Sequence, residues 1–233
     1  MIWSNQTAEV IERCTGLEGE LQLQRRGEEY EIIYNGIFLM ATYNGASEKA
    51  AISDALEIVT SFGERSVNVL MGGLGVGYSL QEALAWKQVT RVTVAEIEPA
   101  IIRWNGGILK IINQNALYDP RTNLLNSDFR EVLRNQAKAA LNDTSRKYQV
   151  VMVDTDNGSS WLSLPSNAFF YSTDGLQLIN NCLHPGGVAC FWSSRREEPF
   201  EEQLKKEFCQ VSFRRVKEKT GQEGCYYLAR RAS

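Results

Sequence analysis

Between residues 66 and 192 the hydrophobic period of this chain switches repeatedly between two values. Strand-like runs at 66–71, 91–95, 121–126, 148–154 and 187–192 are separated by segments whose apolar residues recur at helical spacing. Five such alternations imply parallel strands, because a chain that returns to run beside itself in the same direction needs a helix-length crossover. Ile52, Ala55, Leu56 and Val59 predict a further amphipathic helix over 47–62, covering one face of the sheet. Asp128 stands three residues before Glu131, a capping-box spacing, and Phe129, Val132, Leu133, Ala137, Ala140 and Leu141 follow on one helical face. Pro199 opens the last predicted helix, with Phe200, Leu204 and Phe208 as its buried stripe.

The chain closes on two strand-like runs, 209–217 and 225–230, around a turn from Gly221 to Gly224. A closing hairpin after five β/α units departs from a dinucleotide-binding double repeat. It matches the Rossmann-like α/β class I methyltransferase fold, a mostly parallel seven-stranded sheet with an antiparallel hairpin at its carboxyl end. Residues 20–43 alternate polar and apolar positions, with breaks at Gly27 and Asn35-Gly36, and read as two or three short antiparallel strands. The expected division is a β-strand appendage over 1–46 and a nucleoside-binding catalytic domain over 47–233.

At 233 residues the chain can bury a core without disulfides or a structural metal. Its five cysteines are an odd number and widely spaced, with no C-x-x-C pair, so neither a disulfide framework nor a metal site is expected. A net charge of −3 offers no basic field for a phosphate backbone, which argues against nucleic acid as a partner. Glu9 and Glu12 close to Ile2 and Trp3 do not make a leader, and no apolar run approaches the roughly 18 residues that would span a membrane. The expectation is a cytoplasmic enzyme.

The first β/α turn lies in VLMGGLGVGYSLQEAL, where Gly73, Gly75 and Gly77 follow a predicted strand and precede a predicted helix. Glycines there allow a sharp turn and let backbone N–H groups and a helix N-terminus approach a ligand. The next strand ends at Glu96, about 20 residues on, where an acid can accept hydrogen bonds from both hydroxyls of a ribose. A nicotinamide dinucleotide would call for G-x-G-x-x-G, and Tyr78 occupies the place of the third glycine. Asp128, at the end of the following strand, is placed either to accept from an adenine amino group or to cap the helix it opens.

These segments, with VTVAEIEPAII, DPRTNLLNSDFREVL, YQVVMVDTDN and CLHPGGV in order, resemble the polyamine aminopropyltransferases, the spermidine synthases and their relatives, over roughly residues 20–195. The resemblance implies that Glu96 binds ribose, that Asp128 binds adenine and that Asp154 takes the catalytic acidic position after the fourth strand. It also implies S-adenosylmethionine or its decarboxylated form as co-substrate without a metal, an amine-bearing small molecule as acceptor, and a homodimer or tetramer.

Two departures bear on the chemistry. The family's glycine turn carries an aspartate where this chain has Val76, and that acid would hold the donor's propylamine cation while repelling the carboxylate of intact S-adenosylmethionine. Two like charges about 4 Å apart cost on the order of 4 kcal/mol at an effective dielectric near 20, enough to select between the donors. The acidic loop is also altered, to Asp154-Thr155-Asp156-Asn157-Gly158, followed by an aromatic segment from Trp161 to Tyr171 that either walls a pocket or packs in the core. Asp154 and Asp156 are the candidate catalytic acids, and the lone histidine, His184, reads as a structural turn residue. With Val76 in place of the acid, the sequence favours methyl transfer from the intact donor over aminopropyl transfer. Transfer of an aminocarboxypropyl group and a noncatalytic nucleoside-binding subunit are further alternatives.

Overall fold

The computed structural model describes residues 7–233, so Ile2 and Trp3 lie outside the described residues. Four antiparallel strands come first: β1 (Glu9–Gly16), β2 (Gly19–Arg26), β3 (Glu29–Tyr34) and β4 (Ile37–Ala41), paired in chain order. The sequence pattern picks up the last three, where Leu21, Leu23, Ile32 and Tyr34 are buried. It misses β1, an edge strand whose residues are exposed or half-buried and so carry little alternation.

Helix α1 (Ala46–Ser61) leads into the large sheet. Its parallel part is β5 (Val67–Gly72), β6 (Val89–Glu96), β7 (Thr122–Asn126), β8 (Tyr148–Val153) and β9 (Leu183–Ser193). The helices α2 (Tyr78–Ala85), α3 (Pro99–Gly106), α4 (Phe129–Asn142) and α5 (Thr173–Cys182) form the crossovers. After α6 (Glu198–Glu207) the chain ends in the hairpin of β10 (Gln210–Lys217) and β11 (Glu223–Arg230), giving the order β10-β11-β9-β8-β5-β6-β7. This is the seven-stranded sheet that the alternation of periods predicts. Two local details differ: His184 lies inside β9 rather than in a turn, and Phe208 is buried just past the end of α6.

Both faces of the sheet are covered, and each strand divides its residues between two cores. Val69 and Met71 point into one apolar cluster with Ile52, Leu56 and Leu80, while Leu70 and Val153 point into the other with Phe129, Leu133 and Leu176. Leu21, Leu23, Ile32 and Tyr34 of the small sheet belong to the first cluster, so the amino-terminal strands share a core with the α1 face of the large sheet. Polar contacts reinforce that joint, since Trp104 Nε1 donates to Glu12 at 2.9 Å and Leu17 N–H donates to Glu98 at 2.9 Å. No helix among the described residues is long and apolar enough to cross a membrane.

Strand order reverses at β5, which has β6 on one side and β8 on the other, and an open α/β sheet leaves a crevice at the carboxyl ends of such strands. Gly72 pairs with Ala95 in β6 and with Val153 in β8, so the residues following these strands emerge at one level. The start of α1 is tied to the same region by Glu218. Its carboxylate accepts from the N–H groups of Gly45, Ala46 and Ser47 at 3.0, 3.0 and 2.8 Å, which satisfies the first turn of the helix from outside it. Glu218→Ala should therefore destabilise the protein by about 2 kcal/mol or more and lower Tm by about 4–8 °C in a thermal melt. A melt within one degree of wild type would show that water replaces the cap at no cost.

Candidate active site

The crevice above β5, β6 and β8 is a cavity whose lining includes Gly73, Gly75, Glu96, Asp128, Asp154 and Asp156. Six of the seven residues singled out in the sequence thus come together. The seventh, Gly77, is the residue before α2 and does not line the cavity; a Cβ there would meet the Asn105 side-chain oxygen at 2.9 Å.

The glycine turn is shaped by the protein itself. Gly73 and Gly75 have φ of 92° and 53°, a region open to glycine. A Cβ on Gly73 would come within 2.1 Å of the Asp154 carbonyl oxygen, and one on Gly75 within 2.5 Å of the Met40 sulfur. Both glycines admit neighbouring chain, from the loop after β8 and from the small sheet, as well as bordering the cavity. Val76, between the last two glycines, is fully buried in the apolar cluster and is not among the cavity-lining residues.

Glu96 ends β6 as a buried carboxylate that accepts from Leu74 N–H at 2.9 Å and from Glu98 N–H at 2.8 Å. Burial pushes its pKa up to about 7, partly offset by these bonds. Each oxygen keeps a second lone pair, the requirement for accepting from a ligand hydroxyl. Glu98, two residues on, also lines the cavity, and its Oε2 is buried without a hydrogen-bond partner.

Asp128 caps α4, accepting from Arg130 N–H at 2.8 Å, and it also lines the cavity. Burial works to raise its pKa, and the Arg130 backbone and guanidinium bonds outweigh it, so the carboxyl lies below the usual range. Phe129 and Phe170 stand next to it as apolar wall.

The two acids after β8 differ sharply. Asp154 is half-buried on the cavity and has one side-chain partner, the Ser79 hydroxyl at 3.4 Å. Burial first, then the negative charge of Glu48, push its pKa up to about 8. Asp156 is buried and accepts from Ser163 N–H at 2.7 Å, Asn167 Nδ2 at 3.0 Å, Thr155 Oγ1 at 2.8 Å and the Tyr171 hydroxyl at 3.4 Å. These bonds make it the organising centre of the loop from Thr155 to Tyr171. The aromatic segment divides: Phe170 lines the cavity, Tyr171 packs against Phe200 in the core, and Trp161 is 44% exposed.

Part of the lining escapes the strand-end logic. Leu21, Ile32, Tyr34, Leu39 and Met40 of the small sheet close one side, Trp192 another, and Glu48 of α1 stands among them. Glu48 leaves a trace in the sequence. It sits on the same helical stripe as Ala51, Ile52 and Ala55, where an acid is out of place unless it faces something. Among the described residues no group of three or more His, Cys, Asp or Glu side chains could hold a metal ion.

The spermine/spermidine synthase domain family matches residues 51–226. Among curated proteins, the polyamine aminopropyltransferase 1 of Streptomyces coelicolor is 32% identical over 122 residues, covering 52% of this chain and 21% of that protein. The polyamine aminopropyltransferase of Oceanobacillus iheyensis is 33% identical over 129 residues, covering 54% and 22%. The chain thus spans about a fifth of the length of these two relatives. Among solved structures, the spermidine synthase of Thermotoga maritima superposes with a TM-score of 0.77 at 15% identity, over 96% of this chain and 73% of that one. A spermidine synthase in complex with the transition-state analogue AdoDATO gives 0.79 at 14% identity, over 96% and 74%. At such identities the superpositions establish the Rossmann-like fold with its amino-terminal sheet, and the match over residues 51–226 establishes the kinship: the chain belongs to the spermine/spermidine synthase domain family.

Proposed function

We propose that this chain catalyses aminopropyl transfer, in which the aminopropyl group of decarboxylated S-adenosylmethionine moves from sulfur to an amine nitrogen of a cationic acceptor. The observation that carries this reading is charge. Six carboxylates, those of Glu48, Glu96, Glu98, Asp128, Asp154 and Asp156, line one cavity, and among the described residues no Lys, Arg or His lines it. Among the described residues only Asp128 of the six has a cationic side chain as partner, Arg130. Carboxylates taken out of water without a counter-charge stay neutral or await a cation, so the cavity is built to receive positive charge.

That argument bears on the donor. Decarboxylated S-adenosylmethionine presents a sulfonium and an ammonium, whereas the intact molecule also brings a carboxylate against the same acids. The methyl transfer expected from Val76 loses its basis, because Val76 is buried away from the cavity and the acids that face the ligand come from α1 and the loop after β8. The names of the curated relatives, polyamine aminopropyltransferases, support the same reaction. An aminocarboxypropyl group would meet the same repulsion as the intact donor.

In this reading the adenosine lies at the Glu96 and Asp128 end, with ribose on Glu96 and adenine beside Asp128, Ser127 and Phe129. The amine lone pair attacks the propyl carbon next to sulfur, the carbon–sulfur bond breaks with its electron pair passing to sulfur, and 5′-methylthioadenosine leaves. Asp154 takes the proton that the nucleophilic amine must lose, and Asp156 positions the loop that carries the acceptor site.

Mass spectrometry of products from an amine panel, with both donors offered, should detect the mass gain of one aminopropyl group with the decarboxylated donor only. A gain of one methyl group from the intact donor would reverse the assignment. Asp154→Asn should keep affinity for 5′-methylthioadenosine and lower turnover by about 100-fold or more.

The raised pKa of Asp154 fixes the pH behaviour. As a base it must be ionised, so kcat/KM should fall about tenfold per unit as pH drops below about 8 in the free enzyme. For stability the sign runs the other way. A carboxyl whose pKa is higher in the folded state contributes stability that is present below about pH 4 and is lost as pH rises through about 8. Unliganded wild type should lose stability between pH 5 and 8.5, by about as much as buffered denaturant titrations can readily resolve, and Asp154→Asn should flatten that decline.

A homodimer belongs to the same reading. β1 is an edge strand of the small sheet, with Val10 43% and Ile11 37% exposed, and such an edge needs cover. Light scattering at micromolar concentration should give twice the mass of the chain, and a monomer would remove the expectation.

A further inference from the structure

Two asparagines behind the glycine turn, Asn105 near the end of α3 and Asn113 in the turns that follow it, are 0% and 1% exposed. A buried amide is costly unless its polar atoms are bonded, and these two are joined in a fixed direction. Asn113 Nδ2 donates to Asn105 Oδ1 at 2.8 Å, and Asn105 Nδ2 donates to Ile101 O at 3.0 Å and to Gly75 O at 2.8 Å. Asn113 Oδ1 accepts from Ala116 N–H at 3.3 Å. The pair also accounts for Gly77, the glycine of the turn that stays off the cavity. A Cβ there would meet Asn105 Oδ1 and Asn113 Cβ, both at 2.9 Å.

The segment that carries Asn113 is bent to deliver it. Gln114 and Asn115 have φ of 55° and 59°, a left-handed region that glutamine rarely enters, and such strain persists only where the surroundings demand it. What the pair reaches is the glycine turn. Of the N–H groups from Gly73 to Gly77, four are spent within the protein: Gly73 on Ala95 O, Leu74 on Glu96, Val76 on the Met40 sulfur at 3.2 Å and Gly77 on Leu74 O at 2.8 Å. Gly75 N–H has no partner among the described residues, and Gly75 lines the cavity. The N–H and C=O of a trans peptide point in opposite directions, so the bond from Gly77 to Leu74 O turns Gly75 N–H the other way. The next peptide, between Gly75 and Val76, is held on both sides, its oxygen by Asn105 and its N–H by Met40.

We propose that Asn105, backed by Asn113, is a positioning residue for the nucleoside donor: it locks the peptide between Gly75 and Val76 and so holds the free Gly75 N–H at the angle from which it donates to the ligand. Neither asparagine lines the cavity, so both act through the backbone of the turn. The inference rests on the nucleoside-binding part of the reading above and deepens it by naming the side chains that set the shape of the turn. A site that needed only filling would take leucine, which has nearly the shape of asparagine and no polar atoms to satisfy.

The test is calorimetric titration of 5′-methylthioadenosine into wild type, Asn105→Leu, Asn113→Leu and Leu109→Ala, a measurement that needs no turnover and so is independent of which group is transferred. Asn105→Leu keeps the bulk and removes the bond to Gly75 O, and it should weaken nucleoside binding by about 10-fold or more. In the transfer assay its loss should fall on KM for the donor, with kcat at saturating donor within about twofold of wild type, whereas a loss of folded enzyme lowers kcat and leaves KM alone. Asn113→Leu should give a smaller loss of the same kind, about 3-fold, and carries the test if Asn105→Leu does not fold. Leu109→Ala empties a fully buried position of the same segment without touching the amides; it should lower Tm by several degrees and leave nucleoside affinity within about twofold of wild type. Asn105→Leu with wild-type affinity overturns the inference, as does a Leu109→Ala protein that loses as much affinity as Asn105→Leu, since the segment as a whole and not the amide pair then supports the turn. Wild type that does not bind the nucleoside overturns the nucleoside reading and this inference with it, whereas binding wild type with an indifferent Asn105→Leu overturns only the role of the asparagines.

Discussion

Three backbone hydrogen bonds at the ends of the parallel strands hold the site in place. Gly73 N–H donates to Ala95 O at 2.9 Å, Asp154 N–H to Gly72 O at 2.9 Å, and Ser127 N–H to Glu96 O at 3.1 Å. Each extends the ladder one residue past the strand and so fixes where the chain leaves the sheet. Beyond that point the backbone diverges, and the side chains of Glu96, Asp128 and Asp154 face a common space because their strands stop at the same level. The glycine turn is subordinate to this register. Gly73 lacks a Cβ because the Asp154 carbonyl occupies that position, so the turn and the loop after β8 interlock before any ligand arrives.

The same register explains what was legible in the sequence. A strand ends where its hydrophobic period ends, so the acids at Glu96, Asp128 and Asp154 could be placed on one edge without coordinates, and α1, α4 and the closing hairpin followed from spacing and caps. What the period does not encode is which crossover passes over the site and which way a turn residue points. Val76 reads as a ligand neighbour when the glycine turn is considered alone, yet its side chain enters the core shared with the small sheet. Glu48 precedes the first parallel strand by about 20 positions, and only the packing of α1 across β9 and β11 and its capping by Glu218 bring it to the cavity. Asp156 lines the cavity with Asp154 and also accepts from four donors within its own loop and the helical turn after it, an arrangement that depends on the fold of residues 155–171 and has no counterpart in spacing.

The electrostatics of the cavity tie binding to chemistry in the proposed reaction. An alkylammonium in water has a pKa near 10, and a carboxylate near 4 is a poor base for it, with about 6 units to overcome, or roughly 8 kcal/mol. Asp154 at about 8 reduces that gap to about 2 units, or roughly 3 kcal/mol. The shift arises first from burial and next from Glu48, so the charge that attracts a cationic acceptor is also one that makes Asp154 a competent base.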